Sequence, residues 1–220
     1  MDQAIVSPFS KFTFVIGRVS PNGVRLLGSG FLVGLDGRIC TTHHVVGNDA
    51  TNLVIVLAPD NAASAYQNLF SNQINYTSAT IVEIDPLRDI AVLKADLQWS
   101  GTLPPIRNFD AGCLGDEVVI FGYPHCTHGR YAFTLQKAEI GAKVLMSNEG
   151  IESKHAVINV QARPGQSGSP VVHPKTGEVM GMLVGAWVPG PASLRLGDIN
   201  PYELHQTTHC ISGEHIREML

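Results

Sequence analysis

Apolar residues in this chain come in short runs separated by turn-forming clusters, and hardly any recur at helical spacing. Lys11 to Val19 is rich in β-branched and aromatic residues and is closed by Ser20-Pro21-Asn22-Gly23, a strong turn signal. Val24 to Val33 follows, with Gly28-Ser29-Gly30 ahead of Phe31-Leu32-Val33. A second turn, Leu35-Asp36-Gly37, leads into Arg38 to Thr42. The pattern predicts hairpin-connected strands. Asn52 to Leu57 is a further apolar strand, whereas Asp60 to Ser78, rich in Asn, Ser, Gln and Ala, reads as a long surface loop. Ala79 to Ile84 and Ile90 to Lys94 are strands flanking Asp85-Pro86-Leu87-Arg88-Asp89.

Trp99 to Gly112, carrying Gly101, Pro104 and Pro105, reads as the connection between two halves. The second half opens with Gly115-Asp116-Glu117 and the strand Val118 to Phe121, then Gly122-Tyr123-Pro124. Strands are expected around Ala132 to Ile140, Lys143 to Met146, Ala156 to Val160, Val171-Val172 and Val179 to Val184. Ser212 to Leu220 reads as a short helix with Ser212 as N-cap. So many short strands with so little helix predict an all-β sandwich or barrel.

Composition narrows the partners. A charged fraction of 15% beside 44% hydrophobic residues suits a folded protein, not a disordered or coiled-coil one. The net charge of -4 comes without a basic patch, so nucleic acid is not expected. No apolar run approaches the roughly 18 residues of a membrane span, so no membrane association is expected. Met1 to Pro8 lacks the basic-then-apolar pattern of a secretory signal. The four scattered cysteines (Cys40, Cys113, Cys126, Cys210) read as free thiols, which predicts a reducing, cytoplasmic setting.

Candidate chemistry centres on Arg163-Pro164-Gly165-Gln166-Ser167-Gly168-Ser169-Pro170. A serine held on a glycine-rich bend can present its hydroxyl, while nearby N–H groups point at a developing oxyanion. Alone, the stretch fits a tight turn equally well. Upstream lie a histidine pair, His43 and His44, closing one strand, and two aspartates, Asp85 and Asp89, around the start of another. The chain order is therefore His, Asp, Ser. Of the common serine triads only the chymotrypsin arrangement runs in that order, and the serine loop fails the G-x-S-x-G elbow at Ser169.

Gly28-Ser29-Gly30-Phe31, Thr-x-x-His-Val at Thr41 to Val45, Asp-Ile-Ala-Val-Leu at Asp89 to Leu93, Gly122-Tyr123-Pro124 and Pro-Gly-x-Ser-Gly-x-Pro at Pro164 to Pro170 fall in one register. In that register the sequence resembles the trypsin-like (chymotrypsin-fold) serine proteases, most of all the bacterial branch with the high-temperature-requirement and glutamyl endopeptidases. The resemblance implies two six-stranded antiparallel β-barrels with a short C-terminal helix. Residues 1–110 would form the barrel with His44 and Asp89, and residues 111–220 the barrel with Ser167. The family's histidine precedes Val, which selects His44 over His43. Its aspartate opens a strand, which selects Asp89, and Asp85-Pro86 reads as a turn initiator. The N–H groups of Gly165 and Ser167 would form the oxyanion hole. The substrate pocket would be lined by Gln161, Ala162, Arg163 and Pro164 and by Val184, Gly185 and Ala186. With no acidic residue at its base, the expected preference is for small to medium apolar side chains.

Gln166 stands where digestive enzymes carry the aspartate that pairs with a freshly cut N-terminus, and no Ile-Val-Gly-Gly segment opens the chain. Zymogen cleavage is therefore not expected; restraint by a regulatory protein partner or by fused domains is. Ser169 replaces the usual second glycine, a small residue expected to be tolerated. Cys113, His125, Cys126 and His128 match no zinc spacing, so no metal or organic cofactor is expected. Trp99 and Trp187 read as packing residues, with Trp187 close to the substrate strand. The resemblance thus implies a protein or peptide substrate. A catalytically inactive scaffold of the same fold, and a viral polyprotein-processing protease, are the alternatives.

Overall fold

The computed structural model describes residues 3–58, 62–70, 73–187 and 207–220. Six strands, β1 (Thr13–Ser20), β2 (Gly23–Gly34), β3 (Arg38–Thr41), β4 (Leu53–Val56), β5 (Tyr76–Asp85) and β6 (Ile90–Ala95), close into one antiparallel barrel in the order β1-β2-β3-β6-β5-β4. Six more, β7 (Glu117–Gly122), β8 (Thr134–Asn148), β9 (Ile151–Ile158), β10 (Pro170–Val172), β11 (Val179–Trp187) and β12 (Thr207–Ser212), close the other as β10-β11-β12-β9-β8-β7. The two six-stranded antiparallel barrels are the architecture expected. Among the described residues no helix is long and apolar enough to cross a membrane.

Several strands are apolar on both faces because each has two cores to serve. In β1, Phe14 and Ile16 point into the first barrel with Leu32, Ile39, Ile55 and Leu93, whereas Val15 joins the layer between the barrels. In β7, Val118 and Ile120 fill the second barrel, and Val119 and Phe121 face the same middle layer. Side chains alternate across a strand, so burial on both sides turns alternation into a continuous apolar run.

The structure corrects four readings. Residues Gln3–Phe12 form a helix, α1, ahead of β1. Its interior Pro8 disfavours helix, but Phe9 stacks on Phe121 at 4.8 Å and Phe12 meets the edge of Trp99 at 5.1 Å, so tertiary packing prevails. The two strands expected between Ala132 and Met146 are the single 15-residue β8, bent by a register shift between Ile140 and Ala142. The expected loop ending at Ser78 gives way to β5 at Tyr76. At the other end, helix α3 (Gly213–Arg217) follows Ser212, whose hydroxyl does not cap it. Instead Ser212 Oγ accepts the Phe109 N–H and donates to Glu214.

Candidate active site

After β3 the chain turns through Thr42 into a one-turn helix, α2 (His43–Val46), which is anchored by the buried Val45 and Val46 and leaves the His44 imidazole half exposed. Asp89 ends the turn before β6 in the left-handed region, φ 57°, a conformation a short polar side chain tolerates better than most. That twist aims three oxygens at α2. Asp89 Oδ2 lies 2.6 Å from His44 Nδ1, Oδ1 accepts the His44 N–H at 2.8 Å, and the Asp89 carbonyl accepts the His43 N–H at 3.2 Å. His43 pairs with Asn48 instead, and the Asp85 carboxylate is occupied by the Leu87 and Arg88 N–H groups and the Arg88 guanidinium.

The serine loop is held from several directions. Gly165 has φ +94°, and a Cβ there would sit 2.6 Å from Cys126 Sγ and 2.7 Å from the Tyr123 carbonyl oxygen, so only glycine fits. The Pro164 carbonyl accepts the His125 N–H at 2.6 Å. Across a trans peptide the Gly165 N–H must then face away from His125. Neither it nor the Ser167 N–H donates to another group among the described residues. Gln166, 1% exposed, accepts the Arg163 N–H on Oε1 at 2.7 Å and donates from Nε2 to Gln136 Oε1 at 2.9 Å.

Ser29 of the first barrel clamps the same loop. Its N–H donates to the Ser167 carbonyl at 2.8 Å, and its hydroxyl donates to the Gly165 carbonyl at 2.8 Å while accepting the Tyr123 N–H. Gly168 packs so closely on the Ser29 carbonyl and Thr41 that a side chain there has no room. Ser169 fits because Gly122 opposite lacks a side chain.

His44, Asp89 and Ser167 line one open cleft of about 430 Å³, shared with Met146, His155, Val184, Gly185 and His209. No hydrogen bond joins Ser167 Oγ to His44 Nε2 among the described residues; such contacts commonly tighten only when substrate binds. Of the residues expected to line the pocket, Val184 and Gly185 are in this cleft. Gln161 to Pro164 are not: Ala162 N–H is bound to Thr208 Oγ1 and Arg163 reaches back to Gln161. Ala186 pairs with Thr208 in β11, and the side chains of Ala186 and Trp187 lie outside the described residues. His155, His209 and Met146 were missed, because they reach the cleft from β8, β9 and β12 with no local motif to mark them.

Burial, with the neighbouring His209 and His215 adding to it, pushes the His155 pKa down to about 4, and burial also lowers that of His209. Burial raises the thiols of Cys40 and Cys210 and takes Cys126 up to about 12, which leaves all three inert as nucleophiles near neutrality. Among the described residues no three His, Cys, Asp or Glu side chains converge on a metal-sized point.

Two closed barrels with a His–Asp pair and a glycine-framed serine on the same cleft define the chymotrypsin-like class. The family model for the trypsin-like peptidase domain matches residues 28–182, and the chain belongs to that family. The chain is 29% identical over 170 residues to a probable periplasmic serine endoprotease, DegP-like, of Pseudomonas putida, covering 74% of this chain and 31% of that protein. It is 28% identical over 195 residues to the magnetosome formation protease MamE of Magnetospirillum gryphiswaldense, covering 83% and 23%. The chain thus spans about a fifth to a third of the curated relatives it matches. The Rv3671c protease of M. tuberculosis in its active form superposes with a TM-score of 0.70 at 22% identity, covering 99% of this chain and 85% of that one. The MamO protease domain of Magnetospirillum magneticum gives 0.69 at 16% identity, covering 96% and 97%.

The expectation of a cytoplasmic protein is overturned by these relatives, several of which are named as periplasmic and others as magnetosome-forming. Free thiols misled because three of the four are buried, and a thiol sealed in a core stays unpaired whatever the compartment.

Proposed function

We propose that this chain is a serine endopeptidase acting through His44, Asp89 and Ser167. The observation that carries the reading is the 2.6 Å contact of His44 Nδ1 with Asp89, with Ser167 on the same cleft. Asp89 fixes the tautomer with the proton on Nδ1, leaving Nε2 free to take the Ser167 hydroxyl proton. Ser167 Oγ then attacks the substrate carbonyl carbon, and the electron pair moves onto the carbonyl oxygen. The Gly165 and Ser167 N–H groups, uncommitted within the loop, stabilise that oxygen. Collapse expels the amine, protonated by His44, and leaves an acyl-enzyme that water, deprotonated by the same imidazole, hydrolyses.

In this reading the half up to about residue 110 supplies base and orienting carboxylate, and the half from 111 supplies nucleophile and oxyanion donors. Gln166, which the resemblance puts where a zymogen ion pair would act, is bound instead to Gln136 and Arg163, which supports a loop held without such a pair. Control then falls to a partner or to additional domains, in keeping with relatives of which the matched part is only 21–31%. The substrate is a protein or peptide. The test is labelling with a fluorophosphonate probe, with Ser167→Ala as control and intact mass to locate the adduct. A single adduct at Ser167 is expected; an inert Ser167 in folded protein, with candidate partners present, refutes the reading in favour of a scaffold.

A further inference from the structure

His44 stands on a helical turn that is anchored at both ends, and the chemistry above uses only one anchor. Helix α2 is a single turn of four residues. So short a helix has no stability of its own, and its last carbonyls lack partners within it. Its start is tied to Asp89 through the His43 and His44 N–H groups. Thr42, just before it, caps nothing with its side chain. At the far end the Gly47 N–H closes on the His43 carbonyl at 2.7 Å, and the chain leaves the helix at a Gly47 φ of 65°.

Arg18 of β1 reaches that far end. Its Nη2 donates to the Val46 carbonyl at 2.8 Å and to the Asp49 carbonyl at 2.7 Å. Its Nη1 donates to the Thr51 carbonyl at 2.6 Å and meets Asp49 Oδ2 at 3.1 Å. Asp49 Oδ1 in turn accepts the Thr51 N–H at 2.9 Å and the Thr51 hydroxyl at 2.7 Å. Residues 46–51 are thus wrapped around one guanidinium, 21% exposed, and the Val19 N–H closes the wrap on the Asn52 carbonyl at 2.9 Å. A planar fork serves several oxygens at fixed angles, whereas an ammonium of the same charge does not. The sheet gives no reason of its own for an arginine here. Arg18 lies directly opposite Arg25 of β2, and like charges so placed are destabilising.

We propose that Arg18 is a positioning residue for His44, holding the end of α2 that Asp89 does not. The proposal rests on the endopeptidase reading above. Val45 and Val46 are buried under the turn, but apolar contact is non-directional and leaves the turn free to rock. The bonds from Asp89 hold one end only. With Val46 also held, α2 has two fixed points, and the 2.6 Å contact of His44 Nδ1 with Asp89 Oδ2 stays aligned. Without Arg18 the turn rocks about its first residues, that contact loosens, and Nε2 loses its direction towards Ser167.

The experiment measures fluorophosphonate labelling, kcat and KM on a fluorogenic peptide, and the far-downfield proton resonance of His44 Nδ1–H in a Ser167→Ala background. Arg18→Met keeps the stem and removes the fork. With folding at the assay temperature checked by thermal melting, labelling and kcat should fall about ten- to a hundredfold, the scale of a misplaced catalytic group, and KM should stay within about twofold. The resonance should broaden or vanish. Arg18→Lys, the milder change should the methionine variant not fold, keeps the charge without the fork and should stay at least about fivefold below wild type. Arg25→Met removes an equal charge from the facing strand and should stay within about twofold of wild type. A lower Tm with kcat and the resonance unchanged, full recovery by lysine, or an equal loss in Arg25→Met overturns the proposal. An inert wild-type serine, with the resonance still dependent on Arg18, sinks the endopeptidase reading alone. A reactive serine indifferent to Arg18 sinks the positioning role alone.

Discussion

Replacing Gln136 by leucine tests how the serine loop is held. Gln136 is half-buried on β8 and touches the loop through one bond, accepting Gln166 Nε2 at 2.9 Å. Leucine keeps the bulk and removes the acceptor. Gln166, 1% exposed, is then left with an unsatisfied amide hydrogen, costing about 1–3 kcal/mol. If the loop escapes that cost by rearranging, Arg163 N–H is released from Gln166 Oε1 and the Gly165 N–H loses its aim. At 1.36 kcal/mol per decade the reactive geometry becomes roughly 5- to 150-fold rarer. The assay is the second-order rate of fluorophosphonate labelling together with kcat and KM on a fluorogenic peptide. The loss should fall on kcat and on labelling, with KM little moved, and Tm should drop by only about 2–12 °C. Gln136→Glu retains an acceptor and should recover activity to within about threefold of wild type. Leucine labelling at the wild-type rate, or leucine and glutamate failing alike, would show that the pair does not position the loop.

Gly165→Ala forces a Cβ against Cys126 Sγ and the Tyr123 carbonyl at a φ of +94°; labelling should fall by about a hundredfold or more, the scale of a lost oxyanion donor. Asp89→Asn should lower kcat by roughly 10³–10⁴ with little change in KM, because the amide favours the wrong tautomer of His44. His155 titrates near 4 in the fold and near 6.5 when unfolded. Below 6.5 the unfolded chain therefore binds the extra proton, and stability present above pH 6.5 is lost progressively as pH falls towards 4. Calorimetry should show Tm falling through that window, and His155→Gln should flatten the fall.

The fold was legible because the strands are bounded by turn residues, and because the runs apolar on both faces, such as Val118 to Phe121, are as short as strands. What the pattern hid was α1, whose Pro8 argues against helix and whose reason to form, Phe121, lies more than a hundred residues away. His44, Asp89 and Ser167, named as candidates from the sequence, line one cleft. Each sits in a short motif of its own, Thr41 to Val45, Asp89 to Leu93 and the serine loop, and in the last Gly168 lies hard against Ser29. His155 and His209 carry no such mark. They come together only through the pairing of β9 with β12, which places His209 opposite Val157 and Ile211 opposite His155, and a register of that kind is not written in either segment alone.

The Ser29 clamp bears on the order in which this molecule comes into being. A ribosome releases β2 long before Ser167, and Ser29, when first made, has no loop to hold. The serine loop in turn emerges into a half-built second barrel. Its carbonyls at Gly165 and Ser167 stay unclaimed until that barrel closes and docks on the first. On the endopeptidase reading, the reactive geometry is thus complete only when both barrels are in place, because the first holds the serine loop of the second.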